Sequence, residues 1–464
     1  MPVGVALAFP LLLAARYADV LIPGVPHVQQ KPDFCGEAAA EMWLHKLGLR
    51  MDQNAVFDCS GVDPLAGRGA WTRELKVALE LLGFQVGPVW FQVPADRAPA
   101  ALEASFRALH ADLERGVPSI VCMHYDESEG APEHFRLILG YDAHSDEVIY
   151  HEPAQAGGAY RHMKRDRFLR LWPLKYQPAE WTLVRLRLAA GADGIKPPPH
   201  PAGFSSADYA QHIMQLKKRV PPGFTIVIEP PFVVIGDEPP ASVRARAQHT
   251  VRWAVDHLKQ DFFTREPAEI LDIWLFRNAG SYESHSRTLF GETPSTPYGY
   301  YSETQKALIM NIETGGGTLV HEIVHPLMDA NFPERPAWLN EGLGSLYEQS
   351  GEVSGHIHGF PNWRLPDLQR AIRARTLPPL RSLLLASESG FYRDPAGTNY
   401  GAARYVLYYL QQRGLLVPFY RRFRASHRVD PGGVATLLAV SGQRDLESFQ
   451  RQWEAFVLSL AWRP

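Results

Sequence analysis

The sequence predicts an α+β protein of two domains. Three observations carry that prediction: the length, a break in composition near the middle, and the order of helical and strand-like patterns on either side of it. At 464 residues the chain exceeds what one hydrophobic core usually organises. From Ala189 to Phe204, the residues Gly191, Gly194, Pro197, Pro198, Pro199 and Pro201 gather in a stretch without hydrophobic periodicity, the composition of a semi-rigid spacer. The expected division is a first domain over 19–188, a linker over 189–203 and a second domain over 204–464, preceded by a candidate signal peptide at 1–18.

In the first domain an Ala-rich helical run from Gly36 to Leu47 is followed by helical patterns near Thr72 to Leu82 and Ala98 to Arg115. Ser119 to Tyr125, Phe135 to Tyr141 and Glu147 to His151 are short and apolar, with turn residues between them. They read as strands of an antiparallel sheet that follows the helices. In the second domain Ala207 to Val220 and Ser242 to Leu258 read as helices, and Thr225 to Glu229, Phe232 to Gly236, Ile270 to Phe276 and Lys306 to Ile312 as strands of a small sheet. From Gly316 onward the pattern is mainly helical: Leu319 to Asp329, Glu341 to Glu348, Leu365 to Ala374, Gly401 to Gln412 and Glu447 to Ser459 carry apolar residues near helical spacing.

A net charge of −3 gives no electrostatic case for a nucleic-acid partner. The basic runs Arg161 to Arg170 and Arg421 to Arg424 are interspersed with apolar residues and read as solvated helix faces. Cys35, Cys59 and Cys122 are too few for a disulfide framework and form no CxxC pair. Val3 to Ala15 resembles the apolar core of a secretory signal, although no Lys or Arg precedes it and Arg16 follows. The protein is expected to be exported, periplasmic or secreted, if that signal is used, and cytoplasmic otherwise. No other stretch approaches the roughly 20 apolar residues that span a bilayer, so no integral membrane segment is expected in the mature chain.

His321-Glu322-Ile323-Val324-His325 sets two histidines four residues apart, on one face of a helix, where they can share one metal ion. Glu322 follows the first ligand directly and can take a proton from a water polarised by the metal. Gly315 to Gly317 can turn the preceding strand into this helix. A catalytic zinc needs a third protein ligand and one open position. Trp338-Leu339-Asn340-Glu341-Gly342 offers Glu341, and Pro333 and Pro336 interrupt any continuous helix, so a helix hairpin can present it. This arrangement resembles the gluzincin metallopeptidases from roughly Phe204 to Pro464. The resemblance implies His321, His325 and Glu341 as ligands of one Zn2+ and Glu322 as general base or acid. Many gluzincins place an acidic residue four positions after the third ligand to brace a zinc histidine, where this chain has Ser345, and Glu348 is a weak substitute. Tyr400 is the candidate for the oxyanion-stabilising residue these enzymes often carry.

In the first domain Cys35-Gly36 opens the Ala-rich helix, where the positive end of the helix dipole lowers a thiol pKa. Gln29, six residues earlier, is placed to donate to an oxyanion. His134 precedes the strand Phe135 to Tyr141, and Glu152 follows the next strand in His151-Glu152-Pro153. The order Gln, Cys-Gly, His-Phe and acid-Pro, with Gly140-Tyr141-Asp142 after the histidine, resembles the papain-related cysteine peptidases that remove double-glycine leaders from bacteriocins. It spans about Val20 to Leu188 and implies Cys35 as nucleophile, His134 as base and acid, Glu152 as the residue orienting it, and Gln29 in the oxyanion hole. That family usually carries Asp before the proline, and Glu152 is one methylene longer. Cys59 and Cys122 read as structural thiols.

The expected fold is thus a papain-like helix-plus-antiparallel-sheet domain followed by a gluzincin-like domain with a small sheet and a mainly helical lobe. Its expected function is hydrolysis of peptide bonds in peptide or protein substrates. Two other readings stay open: a metallopeptidase whose first domain only binds peptides, and a non-catalytic binding protein with a structural metal.

Overall fold

The computed structural model describes residues 17–198, 203–394 and 397–462, so the candidate signal of Val3 to Ala15, with Pro199 and Pro201 of the expected linker, lies outside the described residues. The protein is an α+β molecule that divides into two compact units, Met1–Lys218 and Arg219–Pro464.

The first unit is built on a sheet of antiparallel pairs in the order Trp90–Pro94, Glu180–Arg187, Ser119–His124, Glu133–Asp142, Glu147–His151 and Arg161–Lys164, with Val20–Leu21 paired to the Glu133–Asp142 strand. Strands from before and after the expected set join it, because long-range pairing decides sheet membership and local pattern cannot report it. The helix Cys35–Lys46 packs on the strand Glu133–Asp142. Its buried Ala38, Ala39 and Ala40 have no bulk to hold the two apart, and apolar side chains such as Met42, Leu44, Leu137 and Leu139 close the core.

The boundary falls later than the expected linker. Ala189–Ala190 pairs with Phe84–Gln85, and Lys196 N–H donates to the Leu82 carbonyl at 3.0 Å. The helix Ser206–Leu216 then packs on Gln53–Asp58, tied by Asn54 Nδ2 to Asp208 Oδ1 at 2.8 Å and by Ala207 N–H to Asp58 Oδ1 at 2.8 Å. Proline and glycine here end regular structure without ending the unit. The run Arg161 to Arg170 is corrected as well: Arg161–Lys164 is an edge strand, and only Arg165–Leu171 is helical.

The second unit holds a five-stranded mixed sheet ordered Thr225–Glu229, Phe232–Gly236, Leu271–Phe276, Ala307–Asn311 and Gly299–Ser302, with its two central pairings parallel. The central strands read as near-continuous apolar runs, as strands buried on both faces do. Leu319, Ile323, Val324 and Leu327 of the helix Gly317–Asn331 share one core with Val234, Ile273, Leu308 and Met310 of the sheet. Pro336 caps the next helix, Ala337–Tyr347, which packs on Thr398–Gln411. The expected helix Ser242 to Leu258 is three pieces, Pro240–Arg246, a π-helical turn over Ala247–Arg252, and Trp253–Asp261. Among the described residues no helix is long and apolar enough to cross a membrane.

Arg404 is fully buried and ties the helical lobe together, donating to the carbonyls of Ser345 at 2.8 Å, Leu346 at 3.3 Å and Phe360. Arg404→Met strands three acceptors at once, so the second unit loses about 3 kcal/mol. Its thermal midpoint should fall by about 6–12 °C, read by circular dichroism. In the first unit His151 is fully buried with neither ring nitrogen hydrogen-bonded, between His27 and Tyr160 at ring distances of 5.6 and 4.6 Å. Burial, with the neighbouring His27, lowers its pKa to about 4. As pH falls the unfolded chain protonates this ring near 6.5 and the native chain only near 4, so its contribution is complete above 6.5 and lost between those values. Urea unfolding should show about 2–3 kcal/mol of pH-dependent stability between pH 7 and 4.5 that His151→Leu removes.

Candidate active sites

Cys35 is the first residue of its helix and lines a cleft of about 860 Å³ with Gly69, Ala70, Trp71 and Phe135. One wall of that cleft is fastened to the start of the helix. Asp33 Oδ2 accepts from Gly69 N–H at 2.9 Å, and Glu37 Oε1 accepts from Ala70 N–H at 2.7 Å. A Cβ at residue 69 would lie 1.9 Å from the Asp33 carbonyl oxygen, so only glycine lets the wall approach this closely. Glu37 is fully buried and burial pushes its pKa up to about 8. No motif marked it, since its partner lies 33 positions away.

The thiol departs from expectation. Burial pushes its pKa up to about 12, Glu37 and Asp33 add to the rise, and the N–H groups of Phe135 and Gly36 only partly oppose it. The helix dipole is therefore outweighed by desolvation.

His134 lies on the strand Glu133–Asp142, opposite Met123. Its Nε2 is 2.5 Å from Glu152 Oε1, while Glu152 Oε2 accepts from Arg136 Nε at 2.7 Å and Ala154 N–H adds a bond to Oε1 at 3.1 Å. The longer glutamate thus reaches the ring and gains Arg136 as a second anchor. Although burial opposes it, His134, Arg136 and the Ala154 N–H together hold the Glu152 carboxyl below the ordinary range. Nε2 being engaged, Nδ1 is the nitrogen left for a thiol; among the described residues no hydrogen bond joins the ring to Cys35. Gln29 is exposed and is engaged through its carbonyl, which accepts from Gln53 Nε2 at 3.3 Å. Cys122 is buried, as expected of a structural thiol, but it also lines the Cys35 cleft, its S–H donating to Glu133 at 3.8 Å. Cys59 is half-buried.

In the second unit the hairpin brings His321, His325 and Glu341 together, all buried, with ligand atoms within 4.8 Å of one another. His321 Nε2 is 3.2 Å from Glu341 Oε2, and His325 Nε2 is 4.0 Å from Glu341 Oε1. A Cβ at residue 344 would lie 2.9–3.1 Å from the His321 ring, so Gly344 leaves the imidazole its place. The brace absent at Ser345 is supplied by Glu348, whose Oε1 meets His321 Nδ1 at 3.2 Å. Glu348 is itself held by Arg364 at 2.7 and 3.0 Å and by Asn362 Nδ2 at 3.1 Å. Ser345 gives its carbonyl to Arg404 instead. Tyr392, which no sequence signal marked, donates its hydroxyl to Glu341 Oε1 at 2.7 Å.

Glu322, His321 and Tyr400 open onto a cleft of about 1130 Å³ that runs past Tyr298 and Gly299 at the sheet edge and past Trp363 and Arg364. Burial, with Glu341 nearby, raises the Tyr400 phenol, so it stays protonated at neutral pH. The donor set fits zinc: two imidazoles and a carboxylate converge, and the carboxylates of Glu341 and Glu348 are both buried, Glu348 paired with Arg364. A cation between His321, His325 and Glu341 would balance that buried negative charge.

Residues 22–179 match the family described as Peptidase_C39 like family. The match covers most of the first unit and none of the second, and supports a cysteine-peptidase type for the first. No curated protein matches the chain.

Proposed function

We propose that the chain is a peptidase with two centres, a zinc-dependent one at His321, His325 and Glu341 and a thiol-dependent one at Cys35. The observation that carries the first is the convergence of three buried ligands on a cleft that also exposes Glu322. Zinc held there would supply a Lewis acid for the scissile carbonyl and lower the pKa of a water. Glu322 takes the proton of the attacking water and passes it to the leaving amine. Tyr400 donates to the developing oxyanion. Glu348 and Tyr392 keep His321 and Glu341 oriented, as partners of metal ligands do.

At the other centre Cys35 attacks the carbonyl carbon as His134 takes the thiol proton. The amine leaves with that proton, and water deprotonated by His134 hydrolyses the thioester. A backbone N–H of the first helical turn would serve the oxyanion. A second reading, in which this domain binds peptides without cutting them, is favoured by the raised thiol pKa and the missing Cys35–His134 hydrogen bond.

Both centres are tested by assaying the full chain against a mixed peptide library, with and without chelator, as wild type, Glu322→Gln, Cys35→Ala and the double variant. Chelator and Glu322→Gln should remove the same set of cleavages, and Cys35→Ala a different set. Cleavage unchanged by chelator and by Glu322→Gln sinks the zinc centre, and no Cys35-dependent product favours the binding reading. Elemental analysis should find one zinc per chain. Glu348→Ala should weaken its retention about 10–100-fold, measured by competition with a chromogenic chelator.

A further inference from the structure

Among the described residues, one carboxylate lining the Cys35 cleft is not answered by a cation. Asp33 accepts from the Gly69 backbone, and Glu74 is paired with Arg68 through both oxygens at 2.7 Å. Among the described residues Glu133, itself exposed, has only neutral donors, the Cys122 S–H at 3.8 Å and the Tyr176 hydroxyl. Arg73 also lines the cleft but forms no ion pair with it among the described residues. Two aromatic side chains that line the same cleft are exposed far beyond their usual burial: Tyr176 at 62%, which bonds Glu133, and Trp90 at 43%, on the strand Trp90–Pro94, with two strands of the sheet between it and the Glu133 strand. Their faces suit an alkyl stem or a cation.

Position ties this group to the chemistry. Glu133 and Phe135 are two apart on one strand, so they share a face, and the Phe135 N–H, with that of Gly36, points to the Cys35 sulfur. Two strand residues span about 7 Å, the length of two residues of an extended substrate.

We propose that this cleft selects peptides carrying a lysine or arginine side chain within two residues of the scissile bond, with Glu133 as its counter-charge and Trp90 and Tyr176 as its walls. The proposal rests on Cys35 being a peptidase nucleophile, but its test does not. Matched fluorogenic peptides differ only in arginine or its neutral isostere citrulline at one of those two positions. Wild type should favour arginine by about tenfold or more in kcat/KM at one of them. Glu133→Gln should bring that ratio near one, and Glu133→Lys should turn preference toward glutamate. A ratio near one in wild type, or one that survives Glu133→Gln, overturns the proposal. Absence of any Cys35-dependent hydrolysis counts against the peptidase reading alone. The same peptides, labelled and titrated into Cys35→Ala by fluorescence anisotropy, then decide the subsite: arginine bound more tightly than citrulline, with the difference lost on adding Glu133→Gln, supports it, and equal binding overturns it.

Discussion

A buried carboxylate shared between a histidine and an arginine underlies both centres. In the first unit Glu152 gives one oxygen to His134 and the other to Arg136; in the second Glu348 meets His321 with one oxygen while Arg364 grips both. The arginine matters as much as the histidine. A buried carboxylate alone beside an imidazole draws a proton onto the ring, because an isolated buried charge is costly. A guanidinium, which stays charged, answers the carboxylate's charge and fixes its oxygens, so the carboxylate in turn fixes the orientation of the ring. In the second unit, although burial opposes it, Glu341 and Glu348 still raise the pKa of the His321 imidazole to about 10, a proton that a metal ion at the same nitrogen would replace.

The same arrangement explains where local sequence was informative. The two histidines four apart and the glutamate one helix later became a converging triad, because helix periodicity and the proline break between the helices are local facts. The brace was harder to see. An i+4 rule pointed to Ser345, whereas Glu348 lies past the last turn of that helix and reaches His321 because the chain bends there toward Arg364. Tyr392 is 51 residues from the Glu341 it holds, and nothing in its neighbourhood records that contact. The domain border failed for a related reason. Pro and Gly mark where backbone cannot continue a regular element, but the helix Ser206–Leu216 returns to the first unit through Asp58 and Asn54.

The cysteine centre shows a contest of magnitudes. A helix N-terminus contributes typically 0.3–1 kcal/mol to a nearby anion, whereas desolvation of a buried group can move a pKa by several units. Position on the helix was legible in Cys35-Gly36; desolvation of the sulfur was not, since it depends on groups brought to the cleft from distant parts of the chain, Phe135 among them.

Carboxylates give that cleft its character. Asp33 and Glu37 disfavour the Cys35 thiolate, and Glu133 disfavours that of Cys122. The acidic groups therefore oppose ionisation of the thiols while attracting positive charge. A cation placed in such a cleft offsets the part of the rise in the Cys35 pKa that is due to charge, while the larger part, due to burial, stays. A thiol that rests protonated is also protected, because oxidation and exchange proceed through the thiolate. Burial and negative charge together thus keep the Cys35 thiol in its unreactive, protonated form.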